Sequence, residues 1–220
     1  MSYTIDLSGR VALVTGASSG LGAQFARVLA RSGAAVVLAA RRTDKLKTLR
    51  AEIEADGGDA HVVALDVTDI DSVRAAVAHA ETETGPLDIL INNSGVSTTQ
   101  KLVDVQPEDY DFVMDTNTRG AFFVAQEVGK RMIARSRGAA PCTFVGGRIV
   151  NIASLSALLA PAGQTNYAAA KAGVVALTSS LAKEVARIGI TVNALCPGFI
   201  ETESLAELDA RSEERRVGKE

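Results

Sequence analysis

The run "VALVTGASSGLG", residues 11–22, joins an uninterrupted apolar stretch to glycines at positions 16, 20 and 22. "VALVT" (11–15) reads as a strand buried on both faces, and the amphipathic segment from about Leu21 to Arg31 reads as the helix that follows it. Between a buried strand and a helix, three glycines allow a tight turn, close approach of the backbone to a ligand, and close packing of helix on strand. The helix N-terminus adds unpaired N–H groups and the positive end of its dipole, which suit a pyrophosphate. The turn residues Thr15, Gly16, Ser18, Ser19, Gly20, Leu21 and Gly22 are therefore candidates for dinucleotide binding. A glycine-rich turn without a ligand is the alternative, and what favours the first is the position of the turn at the head of a longer series.

That series continues outward from the turn. Further apolar runs, "AVVLAA" (35–40), "HVVALDV" (61–67), "LDILIN" (87–92), "RIVNIAS" (148–154) and "ITVNALC" (190–196), read as strands buried on both faces. Segments with helical spacing lie between them at Thr43 to Ala55, Asp69 to Glu83, Pro107 to Ala134 and Gln164 to Ile188. Strand and helix in alternation predict right-handed βαβ crossovers and a doubly wound α/β fold, with one parallel sheet covered by helices on both faces. Two stretches interrupt the pattern: a long loop, "SGVSTTQKLVDVQ" (94–106), and an irregular one rich in small residues, "RSRGAAPCTFVGG" (135–147). The first follows a parallel strand, a usual place for a site.

The end of the second strand bears on the choice of dinucleotide. An acidic residue there would bind a ribose 2′-hydroxyl, but the chain reads Ala39-Ala40-Arg41-Arg42. Arginine forks bind phosphates in two-pronged fashion, so Arg41 and Arg42 suit the 2′-phosphate of NADP. NADP(H) is favoured and NAD(H) remains open, because two arginines in a loop can also be solvated charges.

Composition narrows the class. The chain has 220 residues, 47% of them apolar, which is ample for one large domain, and a net charge of −3 that argues against a nucleic-acid surface. Two cysteines, Cys142 and Cys196, form no disulfide framework or metal motif. "MSYTIDLSGR" lacks the basic-then-apolar pattern of a signal peptide, and no apolar run reaches membrane-spanning length, so a cytoplasmic protein is expected with no membrane partner and no metal.

In "NYAAAKAG" (166–173), Tyr167 precedes Lys171 by four residues. On a helix this spacing sets both side chains on one face, about 6 Å apart along the axis. Thr15-Gly16 with Gly20 and Gly22, "NNSG" (92–95), Asn117, Ser154, Tyr167-x-x-x-Lys171 and "PG" (197–198), in this order, resemble the short-chain dehydrogenase/reductase family from about Leu7 to Thr202. The glycine pattern and the Tyr/Lys spacing are each weak alone, and the specificity lies in their combination.

The resemblance implies an NAD(P)-dependent oxidoreductase acting on a carbonyl/alcohol pair. A free phenol ionises near pH 10, and a neighbouring ammonium favours the phenolate, so Lys171 and an oxidised nicotinamide together would bring Tyr167 toward the working range of a general acid/base. Ser154 would orient the reacting oxygen. By family analogy Lys171 also holds the nicotinamide ribose, and Asn117 holds a water that extends a proton relay. Asp66, with Val67 beside it, is implied to meet the adenine. The backbone around Asn92, Ser94 and Gly95 would pass beneath the adenosine ribose, while Asn93 braces strands. Pro197 and Gly198 redirect the chain, and Ile200 and Thr202 are implied at the nicotinamide carboxamide. His61 and His79 match no family position. A cofactor-binding scaffold without turnover is the alternative, disfavoured by the full set of Asn117, Ser154, Tyr167 and Lys171.

Family members extend beyond Thr202 into a further helix and a seventh strand. Here "RSEERRVGKE" (211–220) has seven charged residues in ten and resembles vector-derived sequence. The expectation is a catalytic domain over 1–210 with six strands, the seventh missing, a non-native disordered tail over 211–220, and a homo-oligomer that lacks one family contact. The loop after the fourth strand, "LSALLAPAGQT" (155–165) and the region after Gly198 would meet the substrate. Their small and apolar residues suggest an uncharged body such as an acyl, steroid or aromatic ketone.

Overall fold

The computed structural model describes residues 5–138 and 146–200. Thr202, Cys142 and the segment 211–220 named above lie outside them.

Among the described residues, six parallel strands form one sheet: β1 (Val11–Thr15), β2 (Ala35–Ala40), β3 (Asp59–Ala64), β4 (Ile89–Asn92), β5 (Arg148–Ile152) and β6 (Thr191–Leu195). Their order across the sheet is β3-β2-β1-β4-β5-β6, and every pairing is parallel. The chain winds outward from β1 to β3, then returns to the other side of β1 and winds outward again. This places a topological switch point between β1 and β4, where crevices open at the carboxyl ends of the strands.

The pleat of β1 divides the core. Val11 and Leu13 face the side covered by α3 (Ile70–Thr84), α5 (Ala121–Gly138) and, after the short α6 (Ser156–Leu159), α7 (Thr165–Val185), where Val73, Val77, Val124, Val128 and Val185 pack. Ala12 and Val14 face α1 (Gly20–Arg31) and α2 (Thr43–Ala55), whose contributions include Ala23, Ala26, Leu46, Leu49 and Ile53. On α2, Leu46, Leu49 and Ile53 recur every three or four residues, which lays them on one stripe. Alanines on the buried face of α1 bring that helix close to the sheet.

The long helical stretch after Pro107 has a break that its periodicity does not reveal. α4 (Pro107–Met114) passes through a π-helical segment, Asp115–Gly120, before α5 begins. Gly120 faces Val67 there, and a β-carbon on Gly120 would stand 2.9 Å from Val67 Cγ2. Residues 135–138, expected in an irregular loop, instead complete α5.

The edges of the sheet differ from a uniformly buried arrangement. β3 spans Asp59–Ala64, so Asp66 and Val67 fall in the loop beyond it, and β3 is exposed at both ends. Only Val192 of β6 is buried, against the expectation for "ITVNALC". Both are edge strands, and neither has a second strand to cover it among the described residues. No helix among those residues is long and apolar enough to cross a membrane.

Candidate active site

A cleft of about 470 Å³ opens at the carboxyl ends of β1, β2 and β4, the position that the strand order selects. One wall is the turn after β1, with Gly16, Ser18, Ser19, Gly20 and Leu21. Gly16 and Gly20 sit at φ +65° and +54°, a left-handed region that costs glycine little. Gly22, buried just inside α1, has a different reason: its β-carbon would collide with the carbonyl of Gly16 and approach Asn93 Nδ2 to 2.6 Å. The turn lies tight against both the helix and β4 because that hydrogen is there in place of a side chain.

Arg41 and Arg42 line the mouth of the cleft beyond β2. Arg42 is more than a loop charge, since its Nη2 donates to the hydroxyls of Ser18 and Ser19 at 2.9 Å each. Asp66, on the adjoining wall with Val67 and Thr68, accepts from the Thr68 backbone at 3.0 Å and from its hydroxyl at 2.7 Å. Burial works to raise the Asp66 carboxyl, but the two Thr68 hydrogen bonds and the Arg41 guanidinium outweigh it and hold the group below its ordinary value.

The side chains of Thr15 and Asn92 turn inward. Thr15 is fully buried, and its Oγ1 accepts from the backbone N–H groups of Asn93 at 2.9 Å and Ser94 at 3.0 Å. It clasps the end of β1 to the loop after β4. The Asn92 side chain also enters the core, where Nδ2 donates to Ala121 O at 2.8 Å and to Asn151 Oδ1 at 3.0 Å. Asn151 in turn donates to Thr178 at 3.0 Å, so a buried polar chain runs from β4 through β5 into α7. The cleft wall is formed by the next residues, Asn93, Ser94, Gly95 and Val96. Asn93 braces as expected, its Nδ2 donating to Thr15 O at 3.0 Å.

Tyr167, in the first turn of α7, lines the cleft. The Lys171 ammonium lies one turn further on, 5.8 Å from the centre of the Tyr167 ring. Lys171 is 4% exposed, and its Nζ donates to the Ile152 carbonyl at 2.8 Å. Burial pulls this ammonium down to about 8, while nearby Cys196 acts in the opposite direction. Burial also governs Tyr167, whose phenol is pushed up, with a hydrogen bond to Ser154 working against that shift. Ser154 lies two residues past the end of β5 and accepts the Ser156 N–H at 3.1 Å, which fixes its oxygen and leaves its proton to donate.

Asn117, within the π-helical segment, is 1% exposed. Both of its amide hydrogens are engaged, with Val96 O at 2.8 Å and Val113 O at 2.9 Å, and its Oδ1 accepts from Val96 N at 3.3 Å. The side chain therefore pins the loop after β4, and only one acceptor position of Oδ1 is left for a water. Gly95 fills the space between: a β-carbon there would stand 2.7 Å from Asn117 Oδ1 and 3.2 Å from Lys171 Nζ.

Beyond β6, Pro197 accepts the Leu155 N–H at 2.9 Å through its carbonyl, linking its turn to the segment after Ser154. Pro197, Gly198 and Ile200 do not line the cleft, and Phe199 between them is 89% exposed. A larger hollow of about 670 Å³ lies between the C-terminal ends of α1 and α2, crossed by the ion pairs Arg27–Glu52 at 2.6 Å and Arg31–Asp56 at 3.3 Å. It shares no lining residue with the cleft and gathers no reactive groups. No cluster of metal-ligating side chains occurs among the described residues. The sequence reading passed over Asn151, Asn166 and Thr178, all buried and polar; their signal was a polar residue inside an otherwise apolar stripe.

Known proteins with this arrangement are numerous. The chain is 42% identical over 208 residues to gluconate 5-dehydrogenase of Gluconobacter oxydans, covering 94% of this chain and 78% of the relative. It is 37% identical over 213 residues to a 3-oxoacyl-acyl-carrier-protein reductase of Thermotoga maritima, covering 97% and 83%. A solved variant of the actinorhodin polyketide ketoreductase with NADPH superposes with a TM-score of 0.86 at 36% identity, covering 96% of this chain and 77% of that one. The sequence profile of the short chain dehydrogenases matches residues 10–213. With the 3-2-1-4-5-6 sheet, the glycine turn and the Tyr167/Lys171 helix, these matches identify the chain as a member of the short-chain dehydrogenase family of NAD(P)-dependent oxidoreductases.

Proposed function

We propose that the chain transfers hydride between NADP(H) and the carbonyl/secondary alcohol pair of a substrate with an uncharged, apolar body, with Tyr167 as the general acid/base. The observation that carries this reading is the Tyr167 side chain lining the cleft with the Lys171 ammonium 5.8 Å from the centre of its ring.

The cleft fits a dinucleotide in shape and donor set. The turn over Gly16, Ser18, Ser19, Gly20 and Leu21 presents the N-terminus of α1 to a pyrophosphate, where Gly22 allows the close packing. Arg42, already held by Ser18 and Ser19, and Arg41 supply two guanidinium groups at the mouth, which suit a 2′-phosphate. Asp66 offers a carboxylate to the adenine, and the backbone of Ser94 and Gly95 forms the floor. When bound, the nicotinamide supplies or accepts the hydride.

The chain's own residues handle the proton and the geometry. Ser154, whose oxygen is held by the Ser156 N–H, donates its hydroxyl proton to the substrate oxygen and orients it. Tyr167 gives a proton to that oxygen in the reducing direction and takes one in the oxidising direction. The Lys171 ammonium favours the phenolate that forms when the proton leaves. Asn117 fixes the loop through Val96 and so keeps Gly95 beside Lys171.

Leu158, Leu159 and Phe199 are exposed on the segments after β5 and β6, and 155–165 carries no charged residue. An acyl chain or a ring would shelter against such a surface, whereas a sugar acid calls for cations there. Two of the relatives, named as a ketoreductase and as a 3-oxoacyl reductase, accord with this choice. The test is consumption of NADPH and of NADH with a panel of neutral β-keto esters, cyclic ketones and aldonates. Turnover of a neutral ketone with NADPH preferred is the expected result. No consumption of either cofactor with any member, or a preference for NADH and aldonates, overturns the reading.

A further inference from the structure

The start of α7 lacks an ordinary cap. Gln164, at the N-cap position, makes no side-chain cap hydrogen bond, although the first N–H groups of a helix have no partner within it. One of these groups belongs to Tyr167, and it donates to the side-chain Oδ1 of the residue just before it, Asn166, at 2.8 Å. The other end of the same amide, Nδ2, donates to Thr98 Oγ1 at 3.0 Å. Asn166 is only 6% exposed, so both bonds are made away from bulk water, where losing either leaves a desolvated polar atom.

Thr98 lies in the loop after β4, whose first residues face Lys171 and Asn117. Two residues further along this loop, Gln100 N donates to Gly163 O at 2.8 Å, just ahead of α7. The same loop is thus fastened twice to the N-terminal approach of the helix that carries Tyr167, and one fastening passes through a single amide to the backbone of Tyr167 itself.

We propose that Asn166 is a positioning residue that, through Thr98, makes the placement of the Tyr167 side chain depend on the loop over residues 94–106. The inference rests on the acid/base role assigned to Tyr167. A loop that shifts to admit a substrate carries Thr98 with it, and the Asn166 amide transmits that shift to the first turn of α7. The phenol then comes into line with the reacting oxygen only when the loop is seated.

The experiment is steady-state kinetics of the purified chain with NADPH and ethyl acetoacetate, or the neutral ketone turned over fastest in the panel above. Thr98→Val keeps the shape of the side chain and removes the hydroxyl, while Thr98→Ser keeps the hydroxyl. Asn166→Leu removes both amide contacts. A misplaced catalytic group loses rate far more than binding, so Thr98→Val and Asn166→Leu are each expected to lower kcat by about tenfold or more, with the KM for NADPH held within about twofold. Thr98→Ser should stay within about threefold of the parent, and the double variant Thr98→Val/Asn166→Leu should be no worse than Asn166→Leu alone, because both act on one path. Wild-type kcat in Thr98→Val, equal losses in Thr98→Val and Thr98→Ser, or additive losses in the double variant overturn the proposal. If Asn166→Leu does not fold, the Thr98 pair decides the matter. Tyr167→Phe run alongside separates the two readings: if it too keeps full turnover, the acid/base assignment is at fault rather than the coupling.

Discussion

The ammonium of Lys171 stands 5.8 Å from the centre of the Tyr167 ring and spends one hydrogen on the Ile152 carbonyl, so the charge is fixed beside the phenol by the end of β5. Burial disfavours the charged form of each group, raising Tyr167 and lowering Lys171 to about 8. A positive charge arriving in the cleft meets a phenol that is otherwise held protonated.

Removing the phenolic oxygen tests the acid/base role directly. Because a positioned proton donor contributes about 10²- to 10⁴-fold, Tyr167→Phe should lower kcat by that order while NADPH still binds, as followed by cofactor fluorescence. Turnover near that of the parent would falsify the assignment.

The proposed preference for NADP(H) is tested at the arginine pair. Arg42→Ala removes a guanidinium that Ser18 and Ser19 already orient, and should weaken NADPH by about 1–3 kcal/mol while leaving NADH nearly unchanged. Titration calorimetry with both cofactors reads the difference. Equal weakening of both would show that Arg42 supports the turn rather than a phosphate.

Gly95 is tightly enclosed between Asn117 and Lys171. Asn117 is buried and pinned by Val96 and Val113, so it cannot yield to a β-carbon 2.7 Å from its Oδ1. Gly95→Ala is expected to cost about 1–3 kcal/mol of stability, the usual range for overpacking. Denaturant unfolding and kcat should fall together; an alanine variant with parental stability and rate would refute the close fit.

Stability should depend on pH through Lys171. Its folded-state value, about 8, lies below the unfolded value, so below pH 8 both states are protonated and burying the ammonium is a constant penalty. As pH rises from about 8 toward the ordinary lysine range, the unfolded chain holds the proton that the folded chain has lost, and the contribution of this group to stability increases. Lys171→Met removes the dependence. The stability advantage of the methionine variant should therefore be largest near pH 7 and shrink by pH 9.5, as measured by urea unfolding across that range. A constant gap would mean that Lys171 is not titrating in this window.

Much of this arrangement is legible in the residues themselves. β1 and β2 run over the residues of "VALVT" and "AVVLAA" because both are central strands with helices on each face, the case in which apolar runs and strand bounds coincide. β3 is an edge strand, and its start at Asp59 follows from pairing with Ala35 on β2, a register that no local pattern reports. Asp66 and Val67 consequently lie on a loop facing the cleft instead of within a strand. The site residues divide in the same way. The glycine turn and the Tyr167/Lys171 pair depend on local spacing and were readable. Thr15, Asn92 and Asn93 have similar polarity, and which of them faces the core is set by the pleat and by partners 59 to 79 residues away. Asn166 went unremarked because its function depends on Thr98, brought beside it only by the fold.

The π-helical turn over Asp115–Gly120 makes this chain unforgiving of changes in length. A π-turn takes in one residue more than an α-turn, so this segment has already absorbed an extra residue, and a further one inserted between Met114 and Ala121 would rotate everything after it by about 100°. Val124, Val128 and Met132, now fully buried against the sheet, would swing toward solvent, and Asn117 would leave Val96. A single added codon there would thus disturb the core and the loop after β4 together, whereas the same insertion beside the exposed Gly57 would be absorbed locally.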